Sequence, residues 1–173
     1  MFDDFDIQKY LDKKPPSDNS NTTKQELLEL TKIPIREKFI KEMDDSRKVF
    51  SNIVGKDLII NKLITQSRVI IDKIKEHHKR PRPKVLAKKL GIKMKDLELK
   101  TMKTASYPSG HSTQGYLLGL ALSDKYPNKK EKLMKAARDT SYSRRVARAH
   151  YKSDSIVGEQ LGKDMYNHIK DKI

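Results

Sequence analysis

Between Asp57 and His77 the chain carries Ile60, Leu63, Ile64, Ile70, Ile71 and Ile74, and it then runs into Arg80-Pro81-Arg82-Pro83. The apolar residues recur at a helical period and form one stripe, which fits a buried α-helix rather than a strand. No helix continues through two prolines so placed, because each removes a backbone donor and restricts the residue before it. The fold must therefore accept a long amphipathic helix that stops abruptly in a basic loop.

The rest of the chain reads in the same period. Thr23-x-x-Glu26 is a capping-box pattern and opens a short helix through about Thr31. Pro34 suits the first turn of the next helix, which carries Ile35, Phe39, Met43 and Phe50 and stops near Gly55. A short helix is expected over Val85–Leu90, and residues 92–106 read as a loop with a possible helical turn. A strongly apolar helix is expected over His111–Lys125, where Gly115-x-x-x-Gly119 would let another helix come close. After a turn at Pro127-Asn128, a basic helix is expected over Lys129–Ala149 and a last one over Ser153–Lys170. Few segments alternate with a strand period, and no repeat is visible. The expected class is all-α, a compact helical bundle.

Residues 1–22 are polar, with Pro15-Pro16 and a Ser/Asp/Asn/Thr tract, and read as a flexible polar arm. Residues 23–173 then form a single domain, long enough to bury roughly 70% of its unfolded surface. The arm's start, MFDDFDIQKY, shows no basic stretch followed by an apolar core, so no signal peptide is read. The longest apolar run, Tyr116–Leu122, is too short to span a bilayer. There are no cysteines, which excludes disulfides and thiolate chemistry. The expectation is a soluble, cytoplasmic protein, unless an unseen precursor exports it.

Charge narrows the partners. The formal net charge is +15, which favours anions: phosphorylated substrates, nucleic acid or acidic membrane surfaces. Residues 73–103 hold twelve Lys/Arg against three acids, while the first twenty residues are acidic.

Three motifs carry chemistry. Pro108-Ser109-Gly110-His111 sits where a helix should start, and free N–H groups and the helix dipole there attract an anion. Gly110 permits close approach of the main chain to a ligand, Ser109 adds a hydroxyl donor, and His111 stands at the edge of the cradle to protonate a leaving oxygen. In the second motif His150 and Asp154 are four apart and face the same way on a helical turn. The carboxylate would hold Nδ1–H and leave Nε2 as a nucleophile. Arg144, six residues before His150, would project ~120° away on one continuous helix. The basic helix is therefore expected to end near Ala149, so that Arg144 and His150 converge from two elements. The third motif is the basic segment itself, which offers Lys-x6-Arg-Pro in two registers, Lys75 with Arg82 or Lys73 with Arg80. Lys supplies a point charge and Arg a planar fork for phosphate oxygens.

Lys-x6-Arg-Pro, Pro-Ser-Gly-His and Ser-Arg-x5-His-x3-Asp together resemble the three-part signature of the type 2 phosphatidic acid phosphatase superfamily. That superfamily includes soluble class A non-specific acid phosphatases, membrane lipid phosphatases and vanadium haloperoxidases. The resemblance covers residues 75–154. Tyr107, His150-Tyr151, Ser153-Asp154 and Gly158 look most like the soluble acid phosphatases. An Arg two places before the Arg-Pro is common in the family, and Arg80 fills that place in the Lys75/Arg82 register. The resemblance implies a metal-independent phosphomonoesterase with no cofactor. His150 would form a phosphohistidine, oriented by Asp154. His111 would protonate the leaving alcohol and then activate water. Lys75, Arg82, Arg144, Ser109 and the Gly110 N–H would bind phosphate oxygens.

A peripheral lipid-phosphate phosphatase of the same superfamily is an alternative, since the basic surface could bring the chain to an anionic membrane. A basic nucleic-acid-binding helical protein is another, though there is no Trp and no recognised module. A metal hydrolase is disfavoured because His77 and His78 are adjacent and no carboxylate cluster accompanies them. The substrate would be a phosphorylated small molecule, and oligomeric state is left open. A helix N-terminus disfavours protonated His111 while a bound phosphate favours it, so a bell-shaped pH profile is expected.

Overall fold

The computed structural model describes residues 1–95, 97 and 99–173. It is all-α, and no strand occurs among the described residues. The helices are α1 (Gln8–Asp12), α2 (Asn21–Lys32), α3 (Glu37–Asp44), α4 (Ser46–Val54), α5 (Leu58–His78), α6 (Pro83–Lys89), α7 (Gly110–Lys125), α8 (Lys130–Val146) and α9 (Lys152–Ile169). Single 3₁₀ turns lie at Lys100–Met102 and Pro127–Lys129. Asp96 and Glu98, inside the expected 92–106 loop, lie outside the described residues.

Helix α7 is the axis of the molecule. It is buried on nearly every side, from Ser112 and Thr113 to Leu122 and Ser123, and it packs chiefly on α8 and α9, with α5 and α4 completing its surround. Leu63, Ile64 and Ile74 of α5 meet Leu117, Leu118 and Leu122 of α7, Leu133 and Ala137 of α8, and Leu161, Met165 and Ile169 of α9 in one core. Each such side chain contributes about 1.5–3 kcal/mol when fully buried.

Small residues set the helix spacing. A Cβ on Gly119 would sit 3.0 Å from Ala137 Cβ, and one on Gly115 would sit 3.3 Å from Ala137 O. The expected close approach at Gly115-x-x-x-Gly119 is therefore made by α8. A second pair lies on α9. A Cβ on Gly158 would meet Ser109 O at 2.6 Å and Ser112 Cβ at 2.9 Å, and one on Gly162 would run into Thr113 O. Main chain thus rests on main chain where α9 crosses the first turns of α7.

Several boundaries differ from the sequence reading. Residues 1–22, expected as a flexible polar arm, are laid against the body of the molecule. Phe2 and Tyr10 are buried in the core cluster, and Tyr10 Oη donates to Asp164. The aromatic residues among the polar ones supply the apolar surface that anchors the segment. The cap of α2 is Ser20, which accepts from Thr23 N–H at 3.1 Å, and Glu26 is used elsewhere. The expected continuous helix through Phe50 is broken between α3 and α4, because the Asp45 side chain accepts from Arg47 and Lys48 N–H and starts a new helix. Helix α5 ends as expected before the Arg-Pro pair, with Lys79 left-handed at φ 51°. Pro83 takes the first turn of α6. No helix of the described residues is long and apolar enough to cross a membrane.

Candidate functional site

The loop between α8 and α9 brings the second motif together. Helix α8 stops at Val146, Arg148 is left-handed at φ 57°, and Ala149 N–H returns to Arg144 O at 2.8 Å. Arg144 therefore comes from the end of α8 and His150 from the turn into α9, as the spacing argument required. The stop falls three residues before the expected one.

His150 is buried and held from both sides. Its Nδ1 lies 3.1 Å from Asp154 Oδ2, and its Nε2 lies 3.0 Å from Arg82 Nη1. Arg82 can only donate, so Nε2 carries a lone pair and the ring is the neutral Nδ1–H tautomer. Burial, then the charges of Arg82, Lys75 and Arg144, hold His150 well below the ordinary histidine range. Asp154 also accepts from Tyr151 N–H (3.0 Å), Arg80 Nη1 (2.8 Å) and the Ser106 hydroxyl. Its first contact closes the N-terminal turn of α9. Burial pushes its carboxyl up, while Arg80 and these donors pull it back.

The first motif sits opposite. The Tyr107–Pro108 peptide is cis, and α7 begins at Gly110. Gly110, His111, Lys75, Arg82 and His150 line one cavity of about 140 Å³, together with Asp72, Thr101, Lys103 and Thr104. His111 donates from Nε2 to Asp44 O at 2.7 Å. Burial, and then Arg144, hold it well below the usual histidine range. Ser109 does not face this cavity. It is fully buried, and its hydroxyl accepts from Ser112 N–H at 3.2 Å as the cap of α7.

The basic segment divides its two arginines. Lys75 donates to Thr104 Oγ1 at 2.9 Å, and burial with the neighbouring Arg82 brings its ammonium down to about 7. Arg82 Nε donates to Thr104 O (2.8 Å) and Nη1 to Ala149 O (2.9 Å). Burial lowers its guanidinium to about 10. Lys73 is exposed, and Arg80 points away from the cavity. Arg80 Nη1 donates to Asp154 Oδ1 and Ser153 Oγ, both at 2.8 Å, its Nη2 reaches Glu26 Oε2 at 3.5 Å, and its plane lies 3.7 Å over the Tyr151 ring. The geometry therefore gives Lys75 and Arg82 to the cavity and Arg80 to the carboxylate behind His150. Arg144 is fully buried beside it, with Nη1 on Asp44 Oδ1 at 3.0 Å and Nη2 on Thr101 Oγ1 at 2.8 Å.

Sequence reasoning missed Glu26, Asp44, Thr101, Thr104 and Ser106. Glu26 accepts from Ser153 N–H (2.7 Å) and Ser153 Oγ (2.8 Å) and so ties α2 to the start of α9. A capping-box reading had given it a local job. His78, set aside as a metal ligand, approaches Tyr10 O at 2.8 Å.

The arrangement places a neutral imidazole, a second imidazole and the cations Lys75 and Arg82 around a space the size of a small oxyanion, with Arg68, Lys100 and Lys103 also in its lining, Arg144 buried alongside and a helix N-terminus at its edge. The chain is 35% identical over 88 residues to a non-specific acid phosphatase of Salmonella typhimurium, and 34% identical over 88 residues to that of Salmonella typhi. Each match covers 51% of this chain and 35% of the relative, so the chain spans about a third of the length of these relatives. The model of the PAP2 superfamily matches residues 58–163, which is more than half of the sequence and holds all three motifs. The chain belongs to the PAP2 superfamily.

Proposed function

We propose that this protein is a metal-independent phosphomonoesterase working through a phosphohistidine on His150. The observation that carries the reading is the clasp on His150: Asp154 holds Nδ1–H, and Nε2 faces a cavity lined by Lys75, Arg82, Gly110 and His111. A phosphate there meets Lys75, Arg82 and Arg144 and the free N–H groups of α7. The Nε2 lone pair attacks phosphorus, the P–O bond to the leaving group breaks, and His111 gives that oxygen a proton. Water then attacks the phosphohistidine, His111 takes its proton, and the P–N bond breaks to release inorganic phosphate and neutral His150. The charge that His150 gains in the intermediate is balanced by Asp154. In neutral His111 the proton sits on Nε2, against Asp44 O. The acid form, with Nδ1 also protonated, therefore needs the bound phosphate to offset the surrounding cations.

A second observation favours substrates with an apolar part. A groove of about 360 Å³, lined by Val85, Met94, Leu97, Leu99 and Met102, adjoins the cavity through Arg82 and Lys103. A lipid phosphate or aryl phosphate suits it better than a sugar phosphate.

The test is hydrolysis of p-nitrophenyl phosphate by the protein and by His150→Ala and His111→Ala, with and without chelator and vanadate. The expected result is chelator-resistant, vanadate-sensitive turnover with a bell-shaped pH profile, lost in both variants. An acid-labile, base-stable phosphoprotein should be trapped from the unsubstituted chain. Full activity in His150→Ala refutes the mechanism. A panel of nucleotides, sugar phosphates and short-chain lipid phosphates then ranks the substrates.

A further inference from the structure

The break between α3 and α4 leaves Asp44 beside His111, which lines the cavity, and beside Arg144. The Asp44 carbonyl oxygen accepts from His111 Nε2 at 2.7 Å. Its carboxylate meets Arg144 Nη1 at 3.0 Å and stands 3.9 Å from His111 Nε2. Thr101 closes the set, donating to Asp44 Oδ1 at 3.3 Å while accepting from Arg144 Nη2 at 2.8 Å. In the unliganded protein both terminal nitrogens of Arg144 are thus engaged, one of them by an anion. The two partners differ in freedom. The Arg144 side chain is 0% exposed and cannot follow, whereas the Asp44 side chain is 35% exposed and can turn to water. Asp72 at the rim acts through space on Lys75 rather than on Arg144. Asp44 precedes residues 58–163, which match the family model.

We propose that Asp44 is a resident rival of phosphate for Arg144, which weakens the hold on phosphate and so eases product release. The proposal rests on the reading of this cavity as a phosphate site. A bound phosphate takes the Arg144 fork and the carboxylate withdraws to solvent. When phosphate leaves, the carboxylate returns and neutralises the guanidinium. The residue's carbonyl keeps its contact with His111 throughout, so the exchange needs only side-chain motion.

The experiment measures inhibition by inorganic phosphate, and the phosphate-induced rise in melting temperature, for Asp44→Asn. That substitution removes the charge and keeps the shape and the backbone contact to His111. The expected result is a Ki for phosphate about fivefold lower, the factor a partly exposed ion pair contributes. Asp45→Asn removes the same charge one residue along, where the side chain caps α4, and should change Ki by less than about twofold. Should Asp44→Asn not fold, Asp44→Ser serves the same test. An unchanged or higher Ki in the Asp44 variant overturns the proposal and makes Asp44 a scaffold for Arg144. A fivefold fall in the Asp45 variant also overturns it, because net charge alone would then explain the effect. If the unsubstituted protein neither binds phosphate nor hydrolyses a phosphomonoester, the reading of the site falls and the proposal with it.

Discussion

Arg80 should behave as a structural arginine behind the site, not as a phosphate ligand in it. Its side chain is fully buried, as is that of Asp154, and the two meet at 2.8 Å. Glu26, 9% exposed, receives the other end of the fork at 3.5 Å. Arg80→Gln would leave two carboxylates facing a neutral amide in the interior. Removing one partner of a buried pair costs about 3–5 kcal/mol, a large part of the roughly 5–15 kcal/mol that holds a domain folded. The cationic fork lost from above the Tyr151 ring adds to that loss. Glu26→Gln should soften the effect, so the double variant should lose less than the two single losses together. Arg82→Gln is the counterpart, since Arg82 lines the cavity. Urea titration gives the stabilities, and the melting shift induced by inorganic phosphate gives binding. Arg80→Gln should be strongly destabilised yet keep the phosphate-induced shift, and Arg82→Gln should lose the shift. An Arg80→Gln protein within about 1 kcal/mol of the parent, or one lacking the shift, would refute the division of the two arginines.

The histidines make stability depend on pH. His150 and His111 are held below their ordinary value of 6.5 in the folded protein, so below about pH 6.5 unfolding takes up protons that the folded state refuses. Stability should therefore fall as pH drops below about 6.5, with a slope that approaches about 1.4 kcal/mol per pH unit for each histidine that stays neutral in the folded state. His150→Gln should flatten the slope measured by thermal melting, and an equal slope would show that the histidine is not the cause. Lys75, brought down to about 7, should react with an amine-specific acylating reagent near neutral pH ahead of the surface lysines, as read by peptide mass spectrometry. Inorganic phosphate should protect it, and labelling that ignores phosphate would place the lysine outside the anion's reach.

The parts of the site that could be read from the chain are those whose geometry is local. Pro-Ser-Gly-His announces a helix start, and α7 begins at Gly110. The angle between Arg144 and His150 on one helix demanded a stop, and α8 ends at Val146. Asp44 and Glu26 were illegible because their partners lie far along the chain, Arg144 at a separation of 100 residues and Arg80 at 54. The apolar period ran on through Asp44 and Asp45, so nothing in it marked the break that a single side-chain cap creates. Ser109 shows the opposite case. A hydroxyl beside a phosphate loop suggested a ligand donor, but the local demand of Ser112 N–H had first claim on it. The arm's prolines and polar tract outweighed Phe2 and Tyr10 in the reading, whereas in the fold those two rings decide where it lies.

The contact between α9 and α7 has a consequence for how the molecule can move. At Gly158 and Gly162 the backbone of α9 lies against the Ser109 and Thr113 carbonyls and the Cβ atoms of Ser112 and Tyr116, with no side chain of its own between. Such a joint has no rotamers to rearrange, so it acts as a fixed datum for the two ends it connects. Gly110 and His150 hang from those ends. The wall formed by Asp44, Thr101 and Thr104 is held instead by side-chain hydrogen bonds, which can be exchanged one at a time. If the proposed mechanism holds, adaptation to leaving groups of different size falls on that wall, while the span between His150 Nε2 and the N-terminus of α7 stays constant.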